Sequence, residues 1–213
     1  MSVSPLVMCF GDSLTAGFQS PTISHPQGRS TPYGARLQEL MGATARVRVN
    51  GLCGDVTGEM VLRFQQDVLD HHPDYVIILG GTNDLGWNAA PREIMRNLLQ
   101  LYERTRAAGG VPIPVSVPSI RVEPGASTAE ADAWLAAHVA RRKELNRLIQ
   151  EYATGKDLPW IDLFSATAEP ETFQLADVYS NDGIHLTDEG YQVFAELVAE
   201  VLLPLCRSKR PRA

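Results

Sequence analysis

The feature that most limits the fold is an alternation of two periodicities. Short apolar runs at residues 6–10, 45–50, 75–79, 111–117 and 158–163 read as strands, and stretches of helical spacing separate them. The run 75–79, Tyr-Val-Ile-Ile-Leu, is apolar throughout, as a strand covered on both faces must be. The run 111–117 carries Pro112 and Pro114, which suit an edge or an irregular strand. Met60, Val61, Phe64, Val68 and Leu69 mark one helical face; Ile94, Met95, Leu98, Leu99 and Tyr102 mark a second, and Tyr191, Phe194, Val198, Val201 and Leu202 a last. Thr31-Pro32 reads as a helix start with Gly42 as its stop, and Ser127 with Glu130 as the capping box of a long helix running through Tyr152. Strands alternating with helices predict an α/β fold with a parallel five-stranded sheet covered on both faces. A length of 213 residues fits one domain, placed at residues 1–206, with a basic tail at 207–213 that reads as disordered.

Charge and composition narrow the partners. The net charge is −6, and four of the basic residues (Arg207, Lys209, Arg210 and Arg212) lie in that tail. The rest of the chain is therefore more acidic still, which argues against nucleic acid or an anionic membrane as the main partner. No apolar run approaches the 18 residues of a membrane span, and the start of the chain lacks the basic and apolar regions of a signal peptide. No stable membrane insertion and a cytoplasmic location are the expectations. Cys9, Cys53 and Cys206 form no metal-binding pair and no disulfide framework, so neither a zinc ribbon nor a disulfide scaffold is expected, and no metal site is read from the chain.

In a parallel sheet the ligand lies beyond the carboxyl ends of the strands. There the chain places Gly11-Asp12-Ser13-Leu14, then Gly54-Asp55, then Gly81-Thr82-Asn83-Asp84, and near the end Asp182-Gly183-Ile184-His185. These supply the parts of acyl transfer: a hydroxyl, an imidazole, a carboxylate and N–H donors. A serine hydroxyl needs a base to take its proton during attack. Asp182, three residues from His185 in a glycine-containing loop, is placed to orient the imidazole. A tetrahedral oxyanion needs donors already in position, each worth about 2.7–4 kcal/mol.

Those four blocks, in that order, resemble the GDSL, or SGNH, hydrolase family of esterases and lipases, including its thioesterase and lysophospholipase branch. The likeness runs from Pro5 to Leu203. It implies a flavodoxin-like, doubly wound, three-layer α/β/α domain. Residue by residue, it implies Ser13 as nucleophile and an oxyanion-hole donor, Gly54 and Asn83 as the other two donors, His185 as general base, and Asp182 as its orienting carboxylate. The implied partner is a small-molecule ester, cleaved without a cofactor through an acyl-enzyme. Short-chain soluble esters are the expected substrates, with long-chain thioesters, lysophospholipids and sugar acetates as alternatives.

Plainer readings stand beside these. Asp12 and Asp84 are read as loop-holding carboxylates that bond backbone N–H groups. Asp188 reads as helix first-turn charge, His71 and His72 as a helix end, and His25 and Arg29 as solvated. Cys53 is a rival nucleophile, and Trp87 borders the cleft or simply packs. The loops 19–30 and 119–126 are candidates for acyl selectivity. A flavodoxin-like phosphate- or flavin-binding module is the competing function, and it leaves Asn83, Asp182 and His185 unemployed.

Overall fold

The computed structural model describes residues 4–122 and 128–208. β1 (Leu6–Gly11) leads into a one-turn helix α1 (Ser13–Ala16) and a small antiparallel ribbon, β2 (Phe18–Gln19) with β3 (Arg29–Ser30). Then follow α2 (Tyr33–Met41), β4 (Arg46–Gly51), α3 (Thr57–Asp67), β5 (Tyr75–Leu79), α4 (Thr82–Gly86), α5 (Pro91–Ala107), β6 (Val111–Pro114), α6 (Ala129–Gly155), α7 (Leu163–Thr167) and α8 (Asp188–Ser208).

The main sheet is parallel, in the order β4-β1-β5-β6. The chain leaves β1 to one side, returns across it to β5, and so creates a switch point between β1 and β5. Side-chain parity builds the two cores. Val7, Cys9, Ile77 and Leu79 pack with Tyr33, Leu37, Phe194 and Val198 of α2 and α8. Met8, Phe10, Val76 and Ile78 pack on the opposite face with Phe64, Leu98, Leu101 and Ile149 of α3, α5 and α6. Each such burial contributes about 1.5–3 kcal/mol. Three layers, α/β/α, result. Among the described residues no helix is long and apolar enough to cross a membrane.

The sheet corrects the expected count of five strands. Residues 158–163 do not form a ladder; Ile161 alone joins, by a parallel bridge to Val115, and α7 begins at Leu163. The cause lies in the neighbouring strand. Val111 and Val115 donate to Asp74 O and Ile78 O of the β5 side. Alternation turns positions 112 and 114 outward, and both are prolines without an N–H. The first outward donor is Ser116, which bonds Ile161 O at 2.9 Å, while the Ile161 N–H reaches Pro114 O. The expected strand 111–117 accordingly ends at Pro114.

Two helix starts also differ from expectation. The N-cap of α2 is Pro32, without a side-chain cap, and Thr31 instead accepts a hydrogen bond from Gln19. The N-cap of α6 is Thr128, whose hydroxyl accepts from the Ala131 N–H; Ser127 lies outside the described residues. α8 runs through Ser208, so Arg207 is helical, and the rest of the basic tail lies outside the described residues.

Candidate active site

β1 ends on Gly11, where a Cβ would lie 2.2 Å from Leu79 O. Only glycine allows the strands to stay that close. The Asp12 carboxylate then accepts the Leu14 N–H at 3.0 Å and starts α1, with Ser13 as its first residue and Gly17 (φ 78°) as its end. Asp12 is fully buried, and that burial raises its carboxyl to about 6 against the opposing bond from Leu14.

His185 comes from a loop closed by the antiparallel bridge Ser180–Leu186. Gly183 (φ 79°) turns that loop against Arg121, whose N–H donates to Gly183 O at 2.9 Å. The loop brings His185 Nε2 to 3.2 Å from Ser13 Oγ and His185 Nδ1 to 2.7 Å from Asp182 Oδ2. The Ile184 and His185 amides donate to Asp182 Oδ1 at 2.9 and 2.8 Å, and Ser20 Oγ donates to Oδ2. Partial burial by itself would raise the Asp182 carboxyl. The bonds from His185, Ser20 and the two amides outweigh it and hold the carboxyl well below the usual carboxylate range. Phe18 and the imidazole pack in a T-shaped arrangement, with ring centroids 4.6 Å apart. Thus Ser13, His185 and Asp182, distant in sequence, stand in one hydrogen-bonded line, in which a proton can pass from hydroxyl to imidazole.

Gly54 and Asn83 stand past the ends of β4 and β5, the two strands flanking β1. Gly54 has φ 88°, a conformation that favours glycine, and open space on its Cβ side. Asn83 Nδ2 donates one hydrogen to Asp55 O at 2.8 Å, which fixes the amide and leaves its second hydrogen for another acceptor. Asp84, the expected loop-holder, grips the Thr57 N–H at 2.9 Å and the Thr57 hydroxyl at 2.6 Å. Arg63 ties the Gly54–Asp55 turn to the sheet, reaching Asp55 at 2.6 Å, Asn50 at 2.5 Å and Gly11 O at 2.8 Å. Cys53, next to Gly54, is exposed; its thiol is raised, chiefly by desolvation, and so is not set up as a thiolate at neutral pH.

A cleft of ≈ 430 Å³ adjoins Asn83 and Asp182 between α4 and α6. Ile120, Arg121 and Val122 of the loop 119–126 line it; residues 123–126 lie outside the described residues. Trp87 lines it too and is 82% exposed rather than packed. The other candidate loop forms a separate polar pocket of ≈ 220 Å³ with Gln19, Ser20, His25, Arg29 and Asn181. Arg29 is not simply solvated, since it pairs with Asp188. His71 accepts contact from Arg48 at 3.2 Å, at the short turn where a helix end was expected. Among the described residues no group of three or more His, Cys, Asp or Glu side chains is arranged to hold a metal ion.

Sequence reasoning missed Ser20, Arg63 and Arg142. Ser20 lay in a loop already marked as a cleft border, which was the available signal. Arg142 is 2% exposed within the charged run Arg141-Arg142-Lys143, a pattern that ordinarily denotes a solvated helix face.

Known proteins are similar to this chain along nearly its whole length. An arylesterase from Vibrio mimicus is 27% identical over 201 residues, covering 94% of this chain and 89% of its own. The aryl esterase of M. smegmatis superposes with a TM-score of 0.74 at 21% identity, covering 95% of this chain and all of its own. A carbohydrate acetylesterase from Sinorhizobium meliloti gives 0.73 at 21% identity, with the same coverage. Residues 9–193 match the GDSL-like Lipase/Acylhydrolase family, a match that spans every block of the site, and the chain therefore belongs to that family of carboxylic ester hydrolases.

Proposed function

We propose that this chain hydrolyses short-chain carboxylic esters through an acyl-enzyme on Ser13. The observation that carries this reading is the unbroken line from Ser13 Oγ through His185 to Asp182. Ser13 Oγ attacks the acyl carbon as His185 Nε2 takes its proton. The carbonyl oxygen becomes an oxyanion, stabilised by the Ser13 and Gly54 N–H groups and by the free Asn83 amide hydrogen. Collapse expels the alcohol, which takes the proton from His185, and water repeats the sequence to release the acid. Asp182, held ionised by its bonds, keeps Nδ1 protonated and stabilises the imidazolium. No step calls for a cofactor.

Small size supports the short-chain preference: the cleft beside Asn83 is ≈ 430 Å³ and carries charged groups in its lining. The neighbour named as a carbohydrate acetylesterase points the same way. An acyl series with one chromogenic leaving group tests both parts. The optimum is expected between acetyl and hexanoyl, and a kcat/KM that climbs steadily to palmitoyl overturns the chain-length assignment. Ser13→Ala is expected to fold and to lose about 10³-fold or more of kcat, and an organophosphonate is expected to label Ser13 and not Cys53. Turnover that survives Ser13→Ala overturns the mechanism, and a purified protein that carries flavin and turns over no ester favours the binding module.

A further inference from the structure

The floor of the cleft holds a cation that the ester chemistry above does not use. Arg142 of α6 lines the cleft while only 2% exposed. Among the described residues its guanidinium makes one hydrogen bond, from Nη1 to Pro118 O at 2.7 Å, and its Nε has no acceptor. Thr82 Oγ1, buried in the same lining, also has no partner. A guanidinium carries five N–H donors and is costly to bury without an anion. Desolvation lowers its pKa to about 10, with Asp12 opposing that fall from a distance, so it remains charged at neutral pH.

The surroundings set the kind of ligand. Of the two cations in the lining, Arg121 is paired with Asp177 at 2.7 Å, whereas among the described residues Arg142 makes no ion pair, and the oxygens of the one carboxylate there, Asp182, are taken by His185, Ser20 and two amides. His138 in the same wall is neutral, since burial and then Arg142 and Arg141 lower it to about 4. Above the polar floor the cleft is apolar and aromatic, with Ile120, Ile184, Trp87 and Trp134. An aliphatic or aryl body fits that mouth, and an oxygen anion fits the floor.

We infer that the cleft between α4 and α6 is a subsite for a carboxylate carried by the ester substrate itself, bound by Arg142 Nε and Thr82 Oγ1. This rests on the hydrolase reading above and names its substrate class: an ester with a carboxylate on either its acyl or its alcohol half. Adjacency to Asn83 places such a group within a short chain of the reacting carbonyl. A purely structural arginine, holding only Pro118, would treat charged and neutral esters alike.

Two matched pairs distinguish the halves. Mono-p-nitrophenyl adipate is compared with p-nitrophenyl hexanoate, and the acetyl ester of 4-hydroxyphenylacetate with p-cresyl acetate, each corrected for its rate with hydroxide. In one pair the wild-type protein is expected to favour the carboxylate by at least about tenfold in kcat/KM, as for a hydrogen bond to a charged group. The ratio is expected to fall towards one in Arg142→Met and to survive in part in Arg142→Lys. Ratios of one or less in both wild-type pairs overturn the inference and leave the hydrolase reading intact, whether or not the variants fold. If no ester turns over, calorimetry of Ser13→Ala with monomethyl adipate and with methyl hexanoate decides the matter. Tighter binding of the adipate keeps the subsite and discards the hydrolase, and equal or absent binding overturns the subsite.

Discussion

The site is assembled from two halves held by different physics, and the carboxylates Asp12 and Asp182 show the difference. Asp12 belongs to the half that carries Ser13. It is fully buried at the end of a strand covered on both faces, with one hydrogen bond to a backbone amide, and its carboxyl is raised to about 6. Asp182 belongs to the half that carries His185. It sits in a partly open loop with hydrogen bonds to both oxygens, and its carboxyl is held well below the normal range. The same side chain is thus pushed in opposite directions, by desolvation where the core holds the backbone and by donors where hydrogen bonds hold it. The half that carries Ser13 is positioned by packing and the half that carries His185 by polar contacts.

The largest effect expected from testing that division lies in the packed half. Asn83→Ala removes the amide fixed by Asp55 O and should lower kcat about 10²–10³-fold with a smaller change in KM, because in the proposed mechanism the donor acts mainly on the oxyanion. Steady-state kinetics on a short acyl ester check this. An equal fall in 1/KM with kcat unchanged would move Asn83 from stabilising the transition state to binding the substrate.

The division also explains which features could be read from the chain. Apolar runs such as 75–79 are local patterns from which the parallel sheet follows, and the blocks after the strands carry the family resemblance that implies roles for Ser13, Gly54, Asn83, Asp182 and His185. The fifth strand was misjudged because its pairing depends on donors in another segment, and Pro112 and Pro114 remove those donors. Ser20 bonds a residue 162 positions away, and Arg63 joins the ends of two strands through a helix. Contacts of that kind leave no periodicity behind. Arg142 was hidden for a different reason: a run of charges on a helix normally faces water, and here the middle one turns inward.

A second test asks whether packing alone holds the Ser13 half. Asp12→Asn keeps an acceptor for the Leu14 N–H and removes the buried charge. Because the folded carboxyl lies above its ordinary value of 3.8, its contribution to stability is fully present below pH ~4 and is lost as pH rises through about 6. The cost at neutral pH is at most about 3 kcal/mol. Asp12→Asn should therefore match the wild type at pH 4 and be the more stable at pH 7, as denaturant melts at the two values will show. A variant less stable at pH 7 would mean that Arg142 needs the Asp12 charge, and that this half too is held by electrostatics.

The smallest effect belongs to the hydrogen-bonded half. Ser20→Ala deletes one donor to Asp182 Oδ2 and leaves His185 Nδ1 and two amides in place. Asp182 is partly open to water, so solvent replaces much of the lost bond, and about 0.5–1.5 kcal/mol is expected, or roughly two- to tenfold in kcat/KM. The carboxyl should rise but stay below the normal carboxylate range, since four of its donors remain: His185 Nδ1, the two amides and Ser180 Oγ. A depressed carboxylate stabilises the fold above its unfolded value near 3.8 and loses that contribution as pH falls through its folded value. Losing the Ser20 bond should thus lower stability near pH 7 by no more than about 0.5–1.5 kcal/mol, and that loss should disappear as pH falls below the folded value. A loss beyond about 10²-fold, with the fold intact, would show that the loop depends on Ser20 rather than sharing the load among its donors. The His185 half would then be as singly determined as the Ser13 half is by its glycine at position 11, and the contrast between the two would disappear.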